Sequence, residues 1–330
     1  MLPEIIEEKN LLSEASFDSL FSTRSKRRKV IDLLRSVATK MGFMSEPPYS
    51  KLNLIRSRSI GLLIPNLTNA FYMEILRGIE SVAIKSGFTL FVCPTYLSSE
   101  KETRLLNDML ERKTGGLIAL SSSGFNQKAL KKVCSFMRIV SIQSDIKDVD
   151  NISVTDEQGM FEATNHLLEL GHTRIAFIRY DNNISTLTNR LAGFKAAHGK
   201  NGIPVDESMI FSEHISSSGY ITAKALLSSK KPPTAIQCTN DHLAMGVYMA
   251  ASELSIKIPQ DVSVSGFDNA MMSRLMIPNL TTVAQPAHEM GETAAQLMIK
   301  RIIGDERTEP RSIVLPTKHL IRDSTAKACR

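Results

Sequence analysis

Between residues 59 and 322, short apolar runs alternate with longer amphipathic stretches, and this rhythm leaves few folds open. The first run, Ile60–Ile64, has no polar residue and is closed by Pro65. A run of that length without polar alternation reads as a strand covered on both faces, as in a parallel sheet. Further strands are expected at Thr89–Val92, Gly116–Leu120, Ile139–Ile142 and Asn151–Val154, then at Ile175–Ile178, Ala235–Cys238 and Val262–Ser265. Helices fit Tyr72–Ser86, Lys101–Lys113, Gln127–Phe136, Phe161–Leu170, Thr188–Gly199, Gly219–Ser228, His242–Leu254 and Met290–Ile303. Two short runs, Arg311–Leu315 and Lys318–Arg322, close the chain. Alternation of this kind dictates parallel sheets flanked by helices and joined by right-handed crossovers. The expected fold class is therefore α/β, in two successive units, and 330 residues leave room for one small extra unit.

That extra unit precedes residue 59. Short amphipathic helices fit the first 21 residues, with Ser13 as an N-cap and Phe17, Leu20 and Phe21 on one face. A third helix fits Lys26–Met41, closed by Gly42. Three short helices with a tight first turn predict a helix-turn-helix head. Between Arg24 and Lys40 seven basic residues stand against the single acid Asp32, a concentration suited to phosphate backbones; a solvated helix face is the bland alternative. Pro47-Pro48 then breaks the chain, and Tyr49–Ile55 gives barely two helical turns, helical only when something holds it.

Other function classes find little support. No apolar run approaches the roughly 20 residues of a membrane helix, so no membrane partner is expected. The acidic start MLPEIIEEKN lacks the basic and apolar regions of a secretory signal, which predicts a cytoplasmic address. Cys93, Cys134, Cys238 and Cys329 are too widely spaced for a metal site and read as free thiols. No nucleophile elbow, phosphate loop, zinc helix or dinucleotide fingerprint occurs, so neither an enzyme nor a bound cofactor or metal is expected. His172, in the turn Gly171–Arg174, reads as a helix-capping residue.

Polar residues gather at the expected strand ends: Asn66, Thr68, Asn69, Phe71 and Tyr72 after the first strand, Asn240 and Asp241 after Cys238, Asp268 and Asn269 after Phe267. Arg190 falls one turn into a helix that follows Ile178. Amides, carboxylates, a guanidinium and aromatic faces together suit a sugar-like ligand at the carboxyl ends of the strands. Asp241 and Asp268 fit equally well as simple caps of helices and turns.

Six stretches, in order, resemble the LacI/GalR family of bacterial transcription regulators: SIGLLIPNLTNAFYMEILRGIE, LLELGHTRIAFI, NRLAGFKAA, PTAIQCTNDHLAMGV, IPQDVSVSGFDN and LTTVAQPAHEMGETAAQLM. The resemblance implies two periplasmic-binding-protein-like parallel-sheet subdomains with a small all-α helix-turn-helix head. The divisions would be 1–45 for the head, 46–58 for a hinge, 59–158 plus 287–316 for one subdomain and 159–286 plus 317–330 for the other, with crossovers near Gln158, Pro286 and Pro316. It also implies a homodimer on a palindromic DNA operator, repression as the output, and a sugar or sugar phosphate effector in the cleft. Effector contacts carried over are Phe71, Tyr72, Arg190, Asn240 and Asp268, with Gln158, Ile184 and His214 at specificity positions. DNA contacts would come from Ser13, Ser16, Asp18 and Ser19 on the recognition helix, from Arg24, Lys26, Arg27 and Arg28 on phosphates, and from Leu52 as a minor-groove wedge. Asp18-Ser19 stands where family heads carry Ser-Arg, which keeps open a second reading: a cytosolic small-molecule binding protein with weakened or lost DNA binding.

Overall fold

The structure is a computed structural model that describes residues 57–120, 133–134, 137–144, 146–181, 184–214, 218–304 and 309–328. Ser13, Ser16, Asp18, Ser19, Arg24, Lys26, Arg27, Arg28 and Leu52 lie outside the described residues, as do Cys329 and all of the expected helix 127–136 except Val133 and Cys134.

Six parallel strands form the first sheet: β1 (Ser59–Ile64), β2 (Thr89–Pro94), β3 (Gly116–Leu120), β4 (Arg138–Ile142), β5 (Asp150–Val154) and β11 (Ser312–Leu315), in the order β11-β5-β4-β3-β1-β2. Every residue of β1 is buried, because both faces are covered. Ile60, Leu62 and Ile64 pack with Ile75 and Ile79 of α1 (Ala70–Lys85) and with Met290 and Met298 of α7 (Ala287–Ile303). Leu63 faces the other way, onto Leu106 and Met109 of α2 (Ser99–Glu111).

Helices α1 and α7 approach until their backbones touch. A Cβ at Gly291 would stand 2.1 Å from the Ile75 carbonyl oxygen, and one at Gly78 2.1 Å from that of His288. Gly291→Ala must therefore spread the pair, at an overpacking cost of about 1–3 kcal/mol, seen as a lower urea midpoint. A midpoint unchanged from wild type would show that the helices can part without loss.

The second unit carries a four-stranded parallel sheet, β6 (Ile175–Tyr180), β7 (Ile210–Glu213), β8 (Ala235–Cys238) and β9 (Ser263–Ser265), in the order β7-β6-β8-β9. Ile175 and Phe177 face Met160 of α3 (Asp156–Glu169) and Phe194 of α4 (Ser185–Lys200). Ile178 and Tyr180 face the side that holds Leu226 of α5 (Tyr220–Leu227) and Val247 of α6 (Asp241–Glu253). Strand β10 (Thr282–Ala284) pairs antiparallel with β12 (Lys318–Leu320) and bridges to the second sheet at Ser265–Thr281 and Asp268–Ala284.

The expected strands are all present, and β7 and β10 are additional. Each is short and mostly polar, so neither carries an apolar signal of its own; their neighbours supply the register. His172 does cap: its N–H donates to the Leu167 carbonyl oxygen at 3.2 Å. Its ring also pairs with Thr234 Oγ1 and the Ala326 carbonyl, both at 2.9 Å, so it pins the C-terminal segment as well. Cys93, Cys134 and Cys238 are free thiols.

The chain passes between the two units after Val154, after Ala284 and after Leu315. Thr155 and Thr317 join the first and third passages: the Thr317 N–H donates to Thr155 Oγ1 at 2.9 Å, and the two hydroxyls lie 2.9 Å apart.

Candidate ligand cleft

In both sheets the strand order reverses at a central strand, β1 between β2 and β3, and β6 between β7 and β8. Connections then leave on opposite faces, and a crevice opens outside the carboxyl ends of those strands. The residues found there come from the loop after β1, from Tyr180 at the end of β6, and from the segments after β7, β8, β9 and β10.

Arg190 is the centre of the buried part. Its Nε donates to Asp156 Oδ1 at 2.8 Å and its Nη1 to the Thr239 carbonyl oxygen at 2.6 Å. Asp268 Oδ1 lies 3.7 Å from the same Nη1, and the guanidinium carbon sits 3.8 Å from the centre of the Phe267 ring. Asp268 also accepts from Gln285 Nε2 at 2.6 Å, and Gln285 Oε1 accepts from Gln143 Nε2 at 2.6 Å. The polar network thus ties the end of β4, the end of β9 and the second passage between units.

The electrostatics follow from burial. Loss of water raises the Asp268 carboxyl from 3.8 to about 7, with Arg190 and Gln285 holding it back and Asp156 pushing it further. Burial also raises Asp156, against the pull of Arg190. Asp241 is raised well above the usual range by burial and by the Asp268 charge.

The two roles left open for Asp241 and Asp268 separate here. Asp241 is structural: its carboxylate accepts from the Ala270 N–H at 2.8 Å and from the Thr282 hydroxyl at 2.6 Å. Asp268 caps no helix; it adopts φ 116° and spans Arg190 and Gln285. That left-handed backbone is rare for a side chain of its kind and is held by its surroundings.

Two helices begin at the crevice, and each is capped by its own asparagine. Asn69 Oδ1 accepts from the Phe71 N–H at 3.0 Å, and Asn240 Oδ1 from the Leu243 N–H at 2.9 Å. Each cap uses the amide oxygen, so the amide nitrogen is the group such a residue can offer a ligand. Tyr180 hydrogen-bonds Asn240, and burial pushes its phenol up.

A cavity of 320 Å³ lies at the crevice, lined by Tyr72, Tyr96, Tyr180, His214 and His242 and by Asn66 and Asn69. A larger one, 570 Å³, lies on the flank between α1, the start of α7 and the 268–274 turn. Of the expected contacts, Tyr72 and His214 line the first cavity, while Arg190, Asn240 and Asp268 are buried polar residues. Phe71 is part of the first core and reaches the flank cavity, and Ile184 packs on the second core. Gln158 stands apart, exposed and donating to Glu162 Oε1 at 2.8 Å. The carboxylate facing Arg190 is Asp156, two positions earlier, and residues two apart on a helix point to different sides. Sequence reasoning also missed Tyr96, Tyr180, His242 and Gln285. Tyr180 alone had a signal: extending β6 past Ile178 brings it to the strand end.

Comparison with known proteins fits this geometry. A family model described as a periplasmic binding protein-like domain matches residues 164–325. The HTH-type transcriptional regulator DegA of Bacillus subtilis (strain 168) is 34% identical over 306 residues, covering 91% of this chain and 89% of the relative. A crystal structure of a LacI family transcriptional regulator from Enterococcus faecium, with bound ribose, is 32% identical, covers 82% of this chain and 100% of that one, and superposes with a TM-score of 0.74. This chain belongs to the LacI family of transcriptional regulators. Its fold is that of the family, two parallel-sheet units of the periplasmic-binding-protein kind. A further family structure, from Alkaliphilus metalliredigens QYMF and complexed with D-xylulofuranose, is 26% identical over 82% of this chain and 99% of that one, with a TM-score of 0.72. These relatives regulate transcription and are not described as enzymes. Among the described residues, no helix is long and apolar enough to cross a membrane.

Proposed function

We propose that this regulator is a cytoplasmic homodimeric repressor whose grip on a palindromic operator is set by a sugar-class effector in the crevice. The observation that carries the effector is the Arg190–Asp268–Asn240 set at the strand ends, joined to a cavity walled by aromatic rings and amides. Its relatives bound to ribose and to D-xylulofuranose support the same class. The DNA-binding half rests on the basic segment Arg24–Lys40 and on the DegA match, which covers more of the chain than residues 57–330 supply and so extends into that segment. In this reading Ser13, Ser16, Asp18 and Ser19 face bases, Arg24, Lys26, Arg27 and Arg28 hold phosphates, and Leu52 wedges the minor groove. Dimerisation is supported by exposed apolar side chains on the edge strand β2, Phe91 at 48% and Val92 at 37%, and on the second unit, Ile221 at 76% and Met249 at 54%.

Coupling then runs through β1. Its carboxyl end supplies Asn69 and Tyr72 to the crevice, and its amino end follows directly on the hinge. An effector that binds one spacing of the two units more tightly biases the hinge by that difference in affinity and no more.

The test is retardation of DNA from the protein's own promoter region. With about 6–10 phosphate contacts, affinity should fall roughly 10³–10⁵-fold between about 50 and 200 mM salt. A bound sugar should alter it further. Sugar binding with no retardation even at low salt would favour the alternative, a binding protein whose head no longer reads DNA, which Asp18-Ser19 motivates.

A further inference from the structure

The geometry points to a cleft that selects a neutral sugar ring and discriminates against its phosphorylated form; this rests on the sugar-effector reading above and narrows it.

The first argument is charge. Arg190, the guanidinium expected to meet the effector, is already engaged by Asp156, by the Thr239 carbonyl and by the nearby Asp268. Arg322, the next guanidinium, donates to Asn269 Oδ1 at 2.5 Å and to Ser273 Oγ and the Leu280 carbonyl. Against these two cations stand three buried carboxylates, Asp156, Asp241 and Asp268. A phosphate brings close to two more negative charges into a site with a carboxylate excess. Phosphate recognition needs unspent guanidinium, ammonium or helix N–H groups.

The helix ends do not supply them. Asn69 caps α1 and Asn240 caps α6, so an N–H in the first turn of each is already bonded. The crevice cavity is uncharged: among its described lining residues there is no lysine, arginine, aspartate or glutamate. What it offers is three phenols, two imidazoles and amides, groups that bond hydroxyls and stack on the C–H face of a sugar ring. The flank cavity does hold Arg77 and Arg274, but Glu74, Glu289 and Glu292 share its wall, and Glu74 pairs with Arg77 at 3.3 Å.

Full-length protein is titrated by calorimetry and thermal shift with matched pairs: ribose and ribose 5-phosphate, fructose and fructose 6-phosphate, glucose and glucose 6-phosphate, with inorganic phosphate as control. At least one neutral sugar should bind, and its phosphate should bind at least 100-fold more weakly. Tyr96→Arg places a cation at the cavity wall on an exposed residue and should narrow that gap about 10-fold. A phosphate that binds as tightly as its neutral partner, or a gap that Tyr96→Arg leaves unmoved, overturns charge selection while leaving the effector reading intact. Silence from every sugar, neutral and phosphorylated, overturns both.

Discussion

Arg190→Ala should destabilise the fold by about 3–5 kcal/mol, because it leaves charge buried without its counter-ion. Asp156 is 4% exposed and Asp268 6%, so neither carboxylate can turn to water when the guanidinium goes. The loss should depend on pH. Burial already raises both carboxyl groups, Asp268 to about 7, and removing the cation raises them further. A carboxyl raised in the folded state contributes stability that is present below its unfolded pKa and is lost as pH rises through the folded one. The variant should therefore be weakest, relative to wild type, above pH 7, and should recover part of the difference near pH 5, where both acids take up protons. Asp156→Asn in the same chain should recover part of it at pH 8 as well. Urea unfolding at the two pH values measures this. An equal loss at both would place the contribution of Arg190 in its packing over the Phe267 ring rather than in its charge.

How much of this was legible in the sequence follows from where each signal is stored. Ile60–Ile64 was readable because a strand buried on both faces has to be apolar at every position. Asn240 and Asp268 were readable because strand ends in such folds are where ligands bind, and because each sits inside a stretch that resembles the family. The partners of Arg190 were not. Asp156 lies 34 positions away and meets it only through the packing of α3 on α4, and no local pattern encodes that pairing. The expected first contact, Gln158, lies on the same helix but looks elsewhere, since a shift of two residues crosses to another side. Tyr96 and His242 are ordinary loop and helix-start residues in sequence; only closure of the crevice puts them on one cavity wall. Gln285 bonds Gln143 across 142 positions, a contact fixed by the return of the chain through its second passage.

Asp268→Asn should do the opposite of Arg190→Ala and stabilise the protein. At neutral pH wild type carries the cost of an ionised carboxylate in a buried site, with Arg190, Asp156 and Asp241 as its charged neighbours and Gln285 and Tyr180 beside it. The rise of its carboxyl from 3.8 to about 7 corresponds to at most roughly 4 kcal/mol, and loss of the attraction to Arg190 offsets part of the gain. That leaves a gain of about 1–2 kcal/mol. Asparagine keeps the shape and an oxygen to accept from Gln285, and it tolerates the left-handed backbone at φ 116° at least as well as aspartate. The advantage should be absent near pH 4, grow as pH rises, and level off above pH 7, since the raised carboxyl loses its stabilising proton across that interval. Sugar binding should move the other way. A ligand hydroxyl donating to a carboxylate makes a charge-assisted bond worth about 1.5–3 kcal/mol, so the amide should cost roughly 10–100-fold in affinity. For the same reason wild-type affinity should fall as pH drops below 7. A variant that melts higher yet no longer responds to sugar would identify Asp268 as a carboxylate kept for its ligand at the expense of the fold. A variant that is less stable than wild type at pH 8 would instead make the Asp268 carboxylate a structural partner of Arg190, and would remove the argument that effector binding relieves a buried charge.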